Sequence, residues 1–386
     1  MHLNATTRFM GRMTAAAAWA VFLLLSPQTA QAQSDPRLAA SIVPISRLAL
    51  LVPFPPTAFQ SAGRTYLFYE LHLSNPGPFP VTLQQIDVVD AKTPNASPIS
   101  ALGPEQLATM FRGGDRSAEP LQIPSKGAAV VFLEVSFDRG AGVPDRLSHR
   151  VTSDGMTTEG AVVGTHATSL RVLGPPVKGA GWLASDGPGN TEDNHHRRGL
   201  VALGGRPVIS RRYAIDWIRV DKGVHFIGDA SDARAYLAYG QAVVAVADGR
   251  VMSARNDIPE NRPGHGAAFN PAVPITLDTV QGDNVTLDIG GGQFAYYMHL
   301  QPGSVRVTVG QRVRRGQEIG RLGISGDARE PHLHFEVTNS PKALMGEGLP
   351  YLIDRYRLME SNEGVVGPQK RSLPLNGAVI DFASPD

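Results

Sequence analysis

Histidine and aspartate are the residues of this chain whose spacing points to chemistry. Pro331-His332-Leu333-His334-Phe335-Glu336-Val337 sets two histidines two positions apart among β-prone residues. On a strand successive side chains face opposite ways, so His332 and His334 share one face. Leu333, Phe335 and Val337 share the other, and an apolar face packed into a core leaves two imidazoles side by side in a groove. Neutral imidazole is the commonest metal ligand among side chains and a frequent general acid or base. A third histidine lies in Tyr297-Met298-His299-Leu300, where alternation predicts Tyr297 and His299 on one face, Met298 and Leu300 on the other. Asp216, in Ala214-Ile215-Asp216-Trp217, adds a carboxylate to another β-prone run.

Local geometry can bring a fourth imidazole to that carboxylate. His195-His196-Arg197-Arg198 leads into Gly199–Leu203, then Gly204-Gly205, then Pro207–Asp216. A Gly-Gly pair between β-prone runs is a hairpin signal. Paired about that turn, position i faces roughly 409 or 410 minus i, which puts His196 opposite Tyr213 or Ala214 and near Asp216. His225 and His265 fall in polar, Gly- and Pro-rich loops and read as surface residues. His72, His149 and His166 read as ordinary strand or loop residues.

The elements that must position these residues are strands throughout. From Gln33 to about Gly179 short alternating segments are punctuated by turns, as in Tyr66–Leu73, Val81–Val89, Ala128–Phe137, Leu147–Thr152 and Thr168–Leu173. A slip in alternation at Gln84-Gln85 predicts a bulge. Such spacing suggests an immunoglobulin-like β-sandwich with no chemistry of its own. Gly174–Gly179 reads as a linker. Beyond it Tyr239–Val251 holds a strand, a turn at Asp248-Gly249 and the start of the next strand, and Asn284–Ile289 and Phe294–Leu300 are strands. Gly290-Gly291-Gly292 makes a hairpin turn between the last two. Val305–Gly323 alternates apolar residues with Gly turns, the pattern of short stacked β-arches. The tail past Val366 is polar and expected to be loosely held.

Composition narrows the setting. The formal net charge is +1, so bulk charge implies neither nucleic acid nor an acidic membrane surface. There is no cysteine, hence no disulfide framework and no lipid-attachment thiol. Residues 1–32 read as a secretory signal: Arg8 and Arg12, a short apolar run from Ala15 to Leu25, and Ala30-Gln31-Ala32 as cleavage site. Nothing later is long and apolar enough for a membrane-spanning helix, so no stable insertion is expected after cleavage.

Residues 239–337 resemble the lysostaphin/LytM-like zinc endopeptidases, which cut peptide bonds in bacterial peptidoglycan. The resemblance rests on YGQAVVAVADGRV, Tyr297-Met298-His299-Leu300, GQRVRRGQEIGRLG and PHLHFEV taken together. It implies a LytM-type antiparallel sheet (duplicated hybrid motif) at 179–365 and says nothing of residues 33–180; with the sandwich read above at 33–178 and a tail at 366–386, the chain is expected to be all-β. The resemblance implies zinc held by Asp216 and His334, with His299 and His332 as catalytic histidines. The family's first histidine normally stands four residues before the aspartate, where this chain has Arg212. His195-His196 must then substitute, and His196 has the better register. Two imidazoles and a carboxylate leave a fourth tetrahedral position for water. The implied activity is hydrolysis of peptidoglycan stems or cross-links in the periplasm or cell envelope, with room for an envelope protein partner. Three alternatives stand beside it. One is a degenerate relative that binds peptidoglycan or activates a cell-wall amidase. Another is a biotinyl- or lipoyl-type carrier, against which Arg314-Arg315 at the expected lysine position argues. The last is a purely structural sandwich.

Overall fold

The computed structural model describes residues 47–113, 121–362 and 364–382. The expected secretory signal lies outside the described residues. Among the described residues the chain is nearly all β, as expected, and α-helix is confined to Pro104–Met110.

Residues 47–164 build two sheets around one core. Arg64–Ser74 pairs along its length with Ala128–Phe137, and Val81–Asp90 with Arg146–Ser153. Leu67, Leu71 and Val131 from the first sheet meet Leu83, Val88 and Val151 from the second in one apolar cluster. The bulge expected at Gln84-Gln85 is present as a register shift between Leu83 and Gln85. On Arg64–Ser74 the alternate residues Tyr66, Phe68 and Glu70 face away from that cluster, yet all three are buried. Phe68 stacks on Tyr213, which also donates its hydroxyl to the Phe68 carbonyl at 3.1 Å. The outer face of this sheet is therefore covered by later chain.

The main sheet carries the candidate site. In its centre the strands run Gly179–Ser185, Ile215–Arg219, Leu333–Thr338, Phe294–Leu300, Asp283–Asp288 and Gly249–Arg255, each antiparallel to the next. Leu333, Phe335 and Val337 point into the core with Trp217 and Tyr297, as alternation requires. Burying each of the three contributes about 1.5–3 kcal/mol, which pins the register of the histidine strand. Gly290, Gly291 and Gly292 all take positive φ (83°, 65° and 71°), which explains why three glycines connect the adjacent strands.

The stretch past Val366 differs from expectation. Gly367–Ser372 pairs with Tyr351–Glu360, and Val379–Phe382 inserts between Tyr351–Glu360 and Gly179–Ser185. Ile380 and Phe382 are buried in the main core, with Phe382 against Trp217. Alternating Val379, Asp381 and Ile380, Phe382 is a short strand pattern that the surrounding polarity obscured. Among the described residues no helix is long and apolar enough to cross a membrane.

Candidate metal centre and its cleft

Strand pairing sets Asp216 directly against His334. Cross-strand neighbours lie on one face, and Asp216 Oδ1 accepts from His334 Nδ1 at 2.9 Å. His332, two residues earlier, falls on the same face, with Nε2 at 3.5 Å from the same oxygen. His196 Nε2 stands at 3.6 Å from it. The rings form two pairs: His196 with His334 at 4.7 Å between centroids, and His299 with His332 at 4.8 Å. All five residues singled out from the sequence thus line one cleft of about 560 Å³.

Two of them reach it by routes that alternation does not describe. Tyr297 pairs with Phe335 and points into the core, where its hydroxyl accepts the Val246 N–H at 2.8 Å. Met298 pairs with His334 on the cleft side. His299 should then turn inward, but its φ is +64° and its ring swings back to the cleft beside His332. The expectation that Tyr297 and His299 share a face fails at this one left-handed residue. A positive φ at a non-glycine residue is uncommon, and such residues cluster at functional sites.

His196 does not sit on a hairpin strand. The Gly204-Gly205 hairpin exists in the expected register, Val201 opposite Val208, but pairs only Val201–Leu203 with Arg206–Val208. His196 lies upstream in a turn region and is 1% exposed. His195 is half-exposed, with Nδ1 at 3.2 Å from Asp186 Oδ1. Donor atoms of His195, His196 and Asp216 come within 4.8 Å of one another, so both histidines reach the carboxylate's surroundings. Arg212, four residues before Asp216, turns away to Glu70 and Glu347.

Hydrogen bonds fix which nitrogen each imidazole presents. A backbone carbonyl only accepts, so a ring nitrogen bonded to it carries the proton. Nδ1 of His196 donates to the Asp186 carbonyl at 2.9 Å, that of His299 to Ser325 at 2.8 Å, and that of His332 to Glu330 at 2.8 Å. All three leave Nε2 for the cleft. His334 is reversed: Nδ1 faces Asp216 and Nε2 faces Glu336 Oε2 at 3.4 Å. Glu336 escaped the sequence reading, although H-x-E on a strand places it on the face of His334 and was legible there.

The electrostatics follow from burial. Burial holds His196 and His299 well below the usual imidazole range, so both are neutral. Burial also opposes charge on His334, but its hydrogen bonds to Asp216 and Glu336 outweigh this and raise it to about 9. Asp216 is buried too, yet His332 beside it and the hydrogen bond from His334 hold it well below the usual carboxylate range. A neutral His196 whose Nδ1 is committed to a carbonyl faces the Asp216 carboxylate lone pair to lone pair. Two acceptors 3.6 Å apart repel unless a cation lies between them. Tetrahedral zinc with bonds of about 2.0–2.1 Å sets its donors about 3.3 Å apart. The His196–Asp216 pair has a spacing that fits such an ion, with His195 within 4.8 Å of both.

Comparison with known proteins finds a family match over part of the cleft. Residues 233–345 match Peptidase family M23. The matched segment contains His299, His332 and His334 and begins beyond Asp216. The resemblance to the lysostaphin/LytM-like peptidases thus holds over this segment. The chain is 28% identical over 120 residues to the cell division protein DipM of Caulobacter vibrioides. That match covers 31% of this chain and 16% of DipM, so it spans about a sixth of the relative's length. The catalytic domain of the antimicrobial peptidase lysostaphin from Staphylococcus simulans aligns at 20% identity over 44% of this chain and 84% of its own (TM-score 0.23). A zinc-containing peptidase from Vibrio cholerae aligns at 17% identity over 78% and 86% (TM-score 0.25).

Proposed function

We propose that this chain is an exported zinc-dependent endopeptidase that hydrolyses peptide bonds in peptidoglycan stems or cross-links. One observation carries the reading: Asp216 faces the bare Nε2 of neutral His196 and hydrogen-bonds His334, while two further imidazoles present Nε2 into the same cleft. His196, Asp216 and His334 would hold the zinc. Bound there, the ion would lower the pKa of a water toward about 7 and polarise a carbonyl. His299 and His332 supply the rest. Each keeps a fixed tautomer through its Nδ1 bond, so Nε2 is ready to take a proton and return it to the leaving amine. A protonated Nε2 also donates toward negative charge developing on the substrate oxygen. The family match supports peptidase chemistry. The pattern of residues 1–32 supports export to the periplasm, where peptidoglycan is the neighbouring peptide polymer. We read residues 33–178 as an accessory sandwich and 179–365 as the peptidase part.

A second reading has its own observation, Arg212 in place of the family's histidine: a non-catalytic relative that binds peptidoglycan or activates an amidase. One experiment separates the two. The purified mature protein should hold about one zinc per chain and release muropeptides from isolated sacculi. Zinc-loaded protein that binds sacculi and releases nothing would leave the second reading.

A further inference from the structure

We propose that Glu70, on the N-terminal sandwich, is a positioning residue for His196, so that the sandwich is part of the metal centre rather than a spacer. The inference rests on the zinc reading above. His196 belongs to no strand, so no ladder of backbone bonds fixes it. Besides its own bond to the Asp186 carbonyl, its neighbour holds it. Arg197 is 1% exposed, and its guanidinium points into the sandwich. It pairs with the Glu70 carboxylate, donates to the Tyr69 carbonyl at 2.9 Å and to the Leu133 carbonyl at 3.2 Å, and lies 5.1 Å from the Phe132 ring. Arg198 continues the anchor, donating to Thr109 at 3.0 Å, and Arg112 returns a bond to the Arg198 carbonyl at 2.6 Å.

The same Glu70 carboxylate binds a second guanidinium. Arg212 meets it in a forked pair, Nε to Oε1 at 3.1 Å and a terminal nitrogen to Oε2 at 2.6 Å. Arg212 stands four residues before Asp216 in the same segment. One buried carboxylate therefore ties down the turn that carries His196, while Asp216 is already held by the pairing of its own strand with Leu333–Thr338 and Gly179–Ser185. Glu347, 2.8 Å from Arg212, balances the charge: two guanidinium groups against two carboxylates. The outer face of a sandwich that served only as a spacer would be solvated and polar. Here Tyr66, Phe68 and Glu70 on that face are buried. Loss of groups that orient a metal ligand typically lowers metal affinity 10–100-fold.

The test is a double-mutant cycle on the full mature chain, reading zinc affinity by chelator competition and the visible spectrum of the cobalt-substituted protein. His196→Ala should weaken zinc binding and change the cobalt spectrum. Glu70→Gln should do the same by roughly 10–100-fold. Glu70→Gln combined with His196→Ala should lose little more than His196→Ala alone, since both changes act on one ligand. A purely structural Glu70 would give additive losses. Arg197→Met is the milder variant, leaving Glu70 paired with Arg212, and it should reproduce the metal defect where Glu70→Gln does not fold. Glu347→Gln touches Arg212 but not Arg197 and should keep wild-type zinc affinity. Wild-type affinity and spectrum in folded Glu70→Gln or Arg197→Met, with both lost in His196→Ala, overturns the inference alone. Full zinc affinity in His196→Ala overturns the inference together with the assignment of His196 as a ligand.

Discussion

Two buried polar clusters are joined through residues 196–197 and 212–216, and they are built on opposite principles. Around Glu70, two guanidinium groups meet two carboxylates, and further bonds go to backbone carbonyls. Around Asp216, three imidazoles are held by one nitrogen and leave the other without a donor to face. The first cluster is balanced in charge, although Arg197 Nε has no partner, and paired charges fix structure. The second is left short of positive charge, and that shortage is what a metal ion and a substrate proton can fill. Desolvation is common to both, so burial alone does not separate scaffold from chemistry. The count of unfilled lone pairs does.

The widest contrast should come from the centre of the unsaturated cluster. His334→Ala should abolish stoichiometric zinc and hydrolysis together, because it removes a ligand and the hydrogen bond that orients Asp216. Full zinc by elemental analysis in that variant would remove His334 from the ligand set. His332→Ala should keep zinc and fold yet lose turnover by roughly 10²-fold or more, the scale of a lost acid–base or oxyanion group. Wild-type muropeptide release by that variant would exclude a proton-transfer role. Next, His196→Ala should weaken zinc by roughly 10-fold or more while His195→Ala keeps most of it. The reverse order in chelator competition would make the exposed histidine the ligand.

The charge-paired cluster should show in acid. Burial works against ionised Glu70, but Arg212 and Arg197 outweigh it and lower its pKa from 4.5 to about 2. A lowered folded-state pKa means stability fully present above the unfolded value and lost as pH falls through the folded one. Wild type should therefore exceed Glu70→Gln in urea midpoint at pH 7. The gap should shrink steadily between pH 4.5 and about 2. Breaking a buried pair typically costs about 3–5 kcal/mol, enough to resolve. An equal gap at pH 7 and pH 3 would mean that Glu70 stabilises by packing rather than by charge.

Much of the fold was legible because strand alternation is local. The inward face of Leu333, Phe335 and Val337, the shared face of His332 and His334, and the bulge at Gln84-Gln85 all follow from a period of two. The strand Val379–Phe382 was legible in principle, but a short run in polar surroundings gives too few residues to establish a period.

By itself the sequence determined most of the strands, the histidines and the aspartate whose types suit chemistry, and the peptidase-like signature around them. Only the tertiary structure decided how His299 and His196 reach the cleft, and that Glu70 stands behind His196. His299 depends on one positive φ that cancels the alternation of its strand. His196 lies on a turn whose anchor is an ion pair spanning 127 residues, and the matching Arg212 pair spans 142. Periodicity reports on neighbours along the chain. A side chain committed to a partner that far away leaves no periodic trace, so the packing of two sheets had to bring the pair together before it could be read.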